Sequence, residues 1–444
     1  MKSRIHLSEH FTYGKLICFT LPTIVMTIFT SLYSIADGWL VANFVGKTEF
    51  AAVNLVMPVL YILGTFGYMF GAGGGALIAR TLGEGNPERA NRLFSLFVLM
   101  SSVLSLLMTV LGFVFMRSAL AMLGAEGELL ENSVLYGRIF ILALPAWIWL
   151  YEFQLFFIVA EKPGLGLAVT VCAGLGNVAL DALFIIGFRW GLAGAAAASA
   201  LSQAAGGVFP LLYFGRRNNS LLKLVKPLWD GRALVRCCAN GSSEFMAGIT
   251  MSFVGIICNV QLLKYAGEDG VAIYGVLMYI SMIFSALFTG YSDGVGPVFS
   301  YHYGARNHGE LKNLRHRSLR IILIMSLAMF LLPEALARPI SSLFLRGTPL
   351  LIPDTVRALR IFSIAFLFMG TAIFSSALFT ALNNGLVSAL ISFLRTLVFE
   401  LGAVLLLPVL FGVDGIWGSA VFAEMMAALV GSAFLLALRG KYHY

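Results

Sequence analysis

Long apolar runs alternate with short polar segments along almost the entire chain. Each run is about 24 to 30 residues long and holds few charges. As an α-helix rising about 1.5 Å per residue, such a run crosses the roughly 30 Å hydrocarbon core of a bilayer. The pattern therefore predicts an all-α polytopic membrane protein with twelve transmembrane helices. The predicted spans are 15–43, 51–79, 93–116, 134–159, 165–188, 191–214, 236–264, 270–299, 317–340, 355–381, 386–411 and 413–438.

The two halves of the chain repeat one another. When the sequence is shifted by 221 residues, 69–93 aligns with 290–314 without a gap, and Gly83 falls on Gly304. An even number of spans in each half gives both halves the same orientation, so we expect two pseudo-symmetric lobes with the substrate path between them. The expected parts are an N-terminal lobe at 1–214, a basic linker at 215–235 and a C-terminal lobe at 236–444.

Composition and charge narrow the class of protein. With 59% hydrophobic residues, 12% charged residues and a mean hydropathy of +0.88, the chain is too apolar for a soluble globular protein. The net charge of +8 lies in short loops, which indicates a protein oriented in a lipid bilayer and excludes a nucleic-acid footprint. The predicted loops and borders on one side hold 20 of the 30 Lys and Arg residues, against nine on the other. This asymmetry predicts that both termini lie in the cytoplasm. We also expect a monomer in a bacterial or archaeal plasma membrane.

The first span contains two residues that a simple membrane anchor would lack, Pro22 and Asp37. A carboxylate at the centre of a membrane helix costs about 2.5–3.5 kcal/mol, so Asp37 should face the bundle interior or a wet cavity. Pro22 leaves a backbone carbonyl unpaired and makes the helix easier to bend. A bendable helix with a protonatable group indicates a coupling element in a transporter, while a purely structural buried Asp37 remains the alternative.

The fifth and sixth spans carry polar groups at a similar depth. Asn177 and Asp181 are four residues apart, and therefore lie on one face of a helix. Ser199 in the next span lies about as far from the outer end of its helix as Asp181 and Asp37 do from theirs. All four side chains carry oxygen, which suits a proton or a hard cation such as Na⁺. A static hydrogen-bonded cluster is the alternative.

Three sequence motifs resemble one family of transporters. Residues 297–307 read PVFSYHYGARN, residues 83–86 read GEGN at the matching place in the first half, and Asp37 precedes Val45-Gly46. Over residues 14–438 the chain is similar to the multidrug and toxic compound extrusion (MATE) family, in its DinF-like and MepA-like branch. The resemblance implies two six-helix lobes around a central cavity, and antiport of drugs or organic cations against H⁺ or Na⁺.

The resemblance also implies roles for individual residues. It assigns proton or Na⁺ coupling to Asp37, Asn177, Asp181 and Ser199, and a helix kink to Pro22. Glu244 corresponds to a glutamate of the seventh helix that serves cation coupling or drug binding in similar proteins. An aspartate that some sodium-coupled members carry in the tenth span is missing between Arg360 and Asn383.

Other residues within the spans have less specific interpretations. Glu152, Arg395, Glu400 and Glu424 fit either a function or buried ion pairs between helices, and Asp293 fits either a function or a cap at a broken helix. Aromatic and methionine side chains attract organic cations and adapt to varied shapes. On that basis the candidate wall residues of the cavity are Tyr33, Met57, Trp147, Tyr151, Met278 and Met282.

The chain contains no Walker A motif and no H-E-x-x-H or G-x-S-x-G pattern, and its histidines lack metal-ligand spacing. We therefore predict a protein that is not an enzyme and needs no cofactor. The predicted function is secondary active multidrug efflux by alternating access. The alternative is a flippase for a lipid-linked saccharide or peptidoglycan precursor.

Overall fold

The computed structural model describes residues 5–345 and 349–444, and these contain fifteen α-helices, a short 3-10 helix at Pro349–Leu351 and no strand. Residues 1–4 and 346–348, which belong to the two predicted lobes, lie outside the described residues. The helices are α1 (Tyr13–Phe44), α2 (Lys47–Gly83), α3 (Pro87–Met122), α4 (Gly127–Ile141), α5 (Leu144–Val159), α6 (Pro163–Gly187), α7 (Gly191–Gly215), α8 (Gly231–Gly267), α9 (Asp269–Gly304), α10 (His308–Phe344), α11 (Ile352–Ser363), α12 (Phe366–Ala381), α13 (Gly385–Phe411), α14 (Val413–Ala437) and α15 (Arg439–Tyr442).

The prediction of twelve spans is confirmed. Ten of these helices are each long and apolar enough to cross a membrane, and two further spans are bent pairs, α4–α5 with an angle of 57° and α11–α12 with an angle of 42°. Pro145 in the first turn of α5 explains why α4 ends where it does, since proline cannot continue the preceding hydrogen-bond ladder. Gly267 separates α8 from α9 with a φ of 63°, a backbone conformation that glycine adopts without strain.

Matching local features recur in the two halves. Asn86 accepts the Arg89 backbone N–H at 3.0 Å at the start of α3, and Asn307 accepts the Glu310 backbone N–H at 3.1 Å at the start of α10. The fifth span of each half contains a π-helical segment, at Ala182–Gly187 in α6 and at Leu394–Glu400 in α13. The structure thus repeats the pattern that the sequence shift indicates.

The repeated glycines bring the two halves into backbone contact. Gly83 at the end of α2 packs on the Tyr301 carbonyl of α9, and Gly304 at the end of α9 packs on the Arg80 carbonyl of α2. The contact is reciprocal, so each glycine serves the same purpose in its own half. A side chain at either position would hold the helices apart, which explains why α2 and α9 both end in glycine.

The two halves of the chain also contact each other through α1 and α2, over the part of the bundle that leads to these glycines. On α1, the Thr27 hydroxyl donates to the Ala286 carbonyl at 2.8 Å, and Thr20 packs on Gly294. On α2, the stretch from Thr65 to Gly83 lies against α8 and α9. We call the end of the bundle to which these contacts lead the terminal end, because Ile5, the first described residue, and Tyr444 lie there. Among the described residues the lobes are closed against each other at the terminal end.

The segment before α1 crosses the terminal end and joins both halves. His6 Nδ1 lies 2.8 Å from Glu161 Oε2, and the Leu7 backbone N–H donates to Glu161 Oε1 at 2.8 Å. Four residues later, His10 Nδ1 lies 2.6 Å from Glu310 Oε2, and the next backbone N–H, of Phe11, donates to Glu310 Oε1 at 2.9 Å. Since Glu161 belongs to the first half and Glu310 to the second, this N-terminal strap (residues 5–12) ties the halves together.

A further polar contact anchors the strap to α1. Lys15 Nζ lies 2.5 Å from Glu9 Oε2, and this hydrogen bond to an ammonium group lowers the pKa of the Glu9 carboxyl below its usual value. Both partners are substantially exposed to solvent, so the contact contributes little to stability. It fixes the direction in which the strap enters α1.

Candidate functional site

A single buried face of α6 carries the polar residues of the site. Its buried positions recur every three or four residues, as Gly166, Thr170, Gly174, Asn177 and Asp181. This spacing aims Asn177 and Asp181 into the first half, as their four-residue separation predicts. The face combines small residues, which permit close helix approach, with polar residues, which are costly toward lipid.

Gly174 allows α1 to approach α6 next to the polar groups. A Cβ atom on Gly174 would lie 2.6 Å from the ring of Phe29 and 3.0 Å from the ring of Tyr33, both on α1. The absence of a side chain therefore lets these rings pack directly on the α6 backbone. One helical turn beyond Tyr33, the same contact brings Asp37 to Asp181.

The carboxyl groups of Asp37 and Asp181 face each other. Asp181 is fully buried and Asp37 is half-buried. Within the described residues, no N–H or O–H group donates to either oxygen of Asp181 or to Asp37 Oδ1. Two negative charges in this setting would repel strongly and remain unsolvated. The pair can be accommodated by a proton shared between the carboxyls or by a small cation bound between them.

The other two predicted residues lie beside this pair. The Asn177 amide nitrogen donates to the Ser199 hydroxyl at 3.3 Å, which connects α6 to α7. The hydroxyl of Tyr136 on α4 faces Ser199 and lies near both carboxyls. The structure thus brings together Asp37, Asn177, Asp181 and Ser199 from three spans. In the described part of the chain, no three His, Cys, Asp or Glu residues form a metal cluster, so a cation here would also depend on neutral oxygens.

A second acidic position lies between the two halves. Glu244 on α8 and Asp293 on α9 line one cavity of about 40 Å³, together with the glycine-rich face of α2 at Gly71 and Gly75. Asp293 lies inside the uninterrupted helix Asp269–Gly304, which rules out the alternative of a cap at a broken helix. Ser292 also lines this cavity, and its buried hydroxyl has no hydrogen-bond partner in the described residues.

Both halves of the chain match a known protein family. A family model described as MatE matches residues 22–183 and 245–404, one segment in each half. The chain belongs to the MatE family. It is 24% identical over 438 residues to the multidrug export protein MepA of Staphylococcus haemolyticus, covering 98% of this chain and 96% of the relative.

Solved structures show the same fold. A crystal structure of MATE in complex with MaL6 superposes with a TM-score of 0.93 at 22% identity, covering 98% of both chains. An outward-facing conformation of a multidrug resistance MATE family transporter of the MOP superfamily gives a TM-score of 0.92 at 22% identity, over 98% of this chain and 97% of the other. The chain therefore has the twelve-helix MATE fold of a membrane transporter.

The acidic residues within the spans of this MatE protein have different partners. Arg395 on α13 forms a forked pair with Glu424 on α14, with nitrogen–oxygen distances of 2.6, 2.9 and 3.1 Å. Arg395 and Glu424 therefore form a buried ion pair between two helices, as one interpretation of both residues predicts. The same interpretation is wrong for Glu152, which has no cation partner in the described residues and accepts the Ser101 hydroxyl at 2.6 Å. A hydroxyl on α3 satisfies one of its oxygens.

The candidate wall residues of this MatE protein occupy several environments. Trp147 and Tyr151 are 3% and 7% exposed and belong to the core of the first half, where Tyr151 stacks on Tyr68 at 4.4 Å between ring centroids. Tyr33 is half-buried and faces Gln203 beside the acidic pair. The three methionines, Met57, Met278 and Met282, are half-buried.

Sequence reasoning missed several neighbours of the acidic pair. Gln203 is four residues after Ser199 on the same face of α7, and its side-chain oxygen has no partner in the described residues, so the helical spacing pointed to it. Tyr61 on α2 faces Ser34 near Asp37. Tyr61 and Tyr136 gave no comparable signal, because tyrosines in apolar runs are most often packing residues.

Proposed function

We propose that this MatE protein exports organic cations or drugs in exchange for H⁺ or Na⁺, by alternating access of its two lobes. The observation that carries the proposal is the facing pair of Asp37 and Asp181, in which no donor of the described residues compensates the charge on Asp181 or on Asp37 Oδ1. Such a pair binds a proton or a small cation and releases it when the surroundings change. The name of the MepA relatives, multidrug export protein, supports drugs as the substrate class.

Helix α1 provides a physical link between ion binding and lobe closure. Asp37 lies near one end of α1, while Thr20 near the other end and Thr27 at the middle of the helix contact the second lobe. Asp37 and Thr20 are 17 residues apart in the sequence, about 26 Å along a helix. Pro22 lies between the two contact positions within the single helix Tyr13–Phe44, so its proposed bending would act directly on the lobe interface.

In the proposed cycle, an H⁺ or Na⁺ entering from the end opposite the termini binds at Asp37 and Asp181. The change in packing between α1 and α6 favours release of the exported compound at that end. Departure of the ion toward the terminal end resets the carrier. We place the terminal end in the cytoplasm, because most of the Lys and Arg residues lie there.

The charge of the cavity at Glu244 and Asp293 supports a cationic substrate. Glu244 and Asp293 are the charged residues of its lining, and both are acidic. Two carboxylates attract an ammonium group and repel a phosphate or pyrophosphate. A flippase for a lipid-linked saccharide or peptidoglycan precursor would have to bind such an anionic group, so we favour the exporter. We propose that the protein acts as a monomer in the plasma membrane without a cofactor.

Drug efflux from an efflux-deficient bacterial host tests the proposal. Asp37→Asn and Asp181→Asn should abolish ethidium or norfloxacin efflux at wild-type levels of membrane insertion. Asp354→Asn is the matched control, since Asp354 is an exposed carboxylate in the first turn of α11, and it should retain efflux. Wild-type efflux in either of the first two variants would refute the assignment of the coupling site.

A further inference from the structure

A second polar pocket lies away from the transport site, at the terminal end. It has a volume of about 420 Å³ and lies where α2 and α3 of the first lobe meet the start of α8 of the second. We call it the arginine pocket, after the four arginines that line it with two acidic residues. Those six charged residues are Arg80, Arg89, Arg232, Arg236, Glu84 and Asp230.

Only half of the positive charge in the arginine pocket is compensated. Arg80 Nε lies 2.9 Å from Glu84, and Arg89 lies 3.7 Å from Asp230. No carboxylate of the described residues pairs with Arg232 or Arg236. These two are four residues apart in α8, so their guanidinium groups project from one face of the helix, one turn apart.

Uncompensated guanidinium groups in a recess are suited to a phosphate. Guanidinium presents a planar fork of N–H donors that matches phosphate oxygens, and a pair of them can contact one phosphodiester from two sides. A ligand with a carboxylate group would match the positive charge equally well. The side chains beside the pocket indicate which of these ligands is favoured.

Large apolar side chains flank the two free arginines. Leu228, Trp229 and Val235 are 60%, 70% and 69% exposed. Trp229 and Val235 share a continuous depression with Arg232 and Arg236. Tryptophan next to basic residues at the end of a membrane helix is typical of the membrane–water interface. A ligand with a phosphate head and hydrocarbon chains would contact both kinds of side chain, whereas free phosphate would use only the arginines.

We propose that the arginine pocket binds the headgroup phosphate of an anionic phospholipid from the leaflet at the terminal end, with the acyl chains against Trp229 and Val235. The proposal does not depend on the transported compound or the coupling ion. Because both lobes contribute arginines, the lipid would contact both only while the terminal end is closed. Arg80 of the first lobe also lies over the ring of Tyr303 of the second, 5.3 Å from its centroid. Bound lipid would therefore favour the closed terminal end.

Lipid binding to the purified full-length protein tests this site. Native mass spectrometry with added phosphatidylglycerol or phosphatidylcholine should show tighter binding of phosphatidylglycerol to the wild type. Arg232→Gln combined with Arg236→Gln should weaken phosphatidylglycerol binding roughly 10- to 30-fold, because both side chains would contact the headgroup phosphate directly. Arg216→Gln combined with Arg217→Gln removes the same charge outside the pocket, and should leave the affinity within about 2-fold.

Further variants and a competition experiment distinguish a phospholipid from free phosphate as the ligand, and distinguish lost binding from lost folding. Arg232→Lys with Arg236→Lys keeps the charge and should retain most of the preference for phosphatidylglycerol. Trp229→Ala should weaken lipid binding without changing the affinity for inorganic phosphate. Equal binding of the two lipids to the wild type would overturn the proposal. So would equal losses in the two glutamine double variants, or displacement of the lipid by millimolar inorganic phosphate, which would identify a free anion as the ligand.

Discussion

The reciprocal glycine contact predicts what happens when the lobes are forced apart. Replacing Gly83 or Gly304 by alanine places a Cβ atom far inside the 3.0 Å that real Cβ contacts keep, and the opposing atom is a backbone carbonyl oxygen that cannot rotate away. The helices α2 and α9 must then separate by roughly 1 Å, because packed interfaces do not absorb such an overlap. Each alanine should therefore destabilise the closed terminal end and leave each lobe intact.

The size of the effect follows from the cost of overpacking. Adding one methyl group to a packed contact costs about 1–3 kcal/mol. When that cost falls on the closed state alone, the ratio of open to closed molecules rises by roughly 5- to 150-fold. Gly176→Ala is the matched control, because a Cβ there meets no atom within 4 Å. It should leave the ratio unchanged.

A native cysteine reports the opening. Cys237 on α8 is fully buried at the lobe interface, where its Sγ lies 3.9 Å from the Phe70 carbonyl oxygen of α2. In a background with the other four cysteines replaced by serine, a membrane-permeant maleimide should label Cys237 faster in Gly83→Ala and Gly304→Ala than in the parent. Labelling of both variants at the rate of Gly176→Ala would show that these glycines do not hold the lobes closed.

Three further predictions rest on single contacts. Gly174→Val should weaken or abolish drug efflux at normal expression, because the side chain would displace Phe29 and Tyr33 and separate Asp37 from Asp181. Gly176→Val is the control for a valine in α6. Unchanged efflux in Gly174→Val would contradict this prediction. Glu310→Gln should speed Cys237 labelling by roughly 10- to 150-fold, because it removes the charge that the strap's His10 and Phe11 contact, a loss of about 1.5–3 kcal/mol for hydrogen bonds to a charged group. A rate equal to that of Glu88→Gln, an exposed first-turn glutamate of α3, would show that the strap does not hold the terminal end closed. Arg395→Ala should lower the free energy of unfolding by about 3–5 kcal/mol, because it leaves the buried Glu424 carboxylate without its cation. Arg395→Ala combined with Glu424→Ala should destabilise the protein less than Arg395→Ala alone. Thermal unfolding in detergent that shows the double variant to be the less stable of the two would contradict this.

Span positions and the polar face of α6 could be predicted from the sequence, because both depend on local periodicity. A run of apolar residues sets the length of a helix, and a four-residue spacing puts Asn177 and Asp181 on one side whatever the helix packs against. The depth of Asp37 and Ser199 in their spans could be counted in the same way.

Contacts between distant segments could not be predicted, because nothing local encodes them. Glu152 and Glu424 are both acidic residues in apolar runs, yet one contacts a serine hydroxyl and the other an arginine on a neighbouring helix. The strap joins His6 to Glu161 across 155 residues, and its polar composition resembles an ordinary loop. The glycine repeat was visible, but its reciprocal contact with the opposite lobe depends on how α2 and α9 pack.

The most direct test of ion coupling is a jump experiment in proteoliposomes loaded with ethidium. With the wild type, an imposed gradient of either H⁺ or Na⁺ should drive ethidium movement against its concentration gradient. The same gradient should drive no ethidium movement with Asp181→Asn. Asp354→Asn should behave as the wild type. Ethidium movement of wild-type extent in Asp181→Asn would show that the carboxyl pair does not carry the coupling ion.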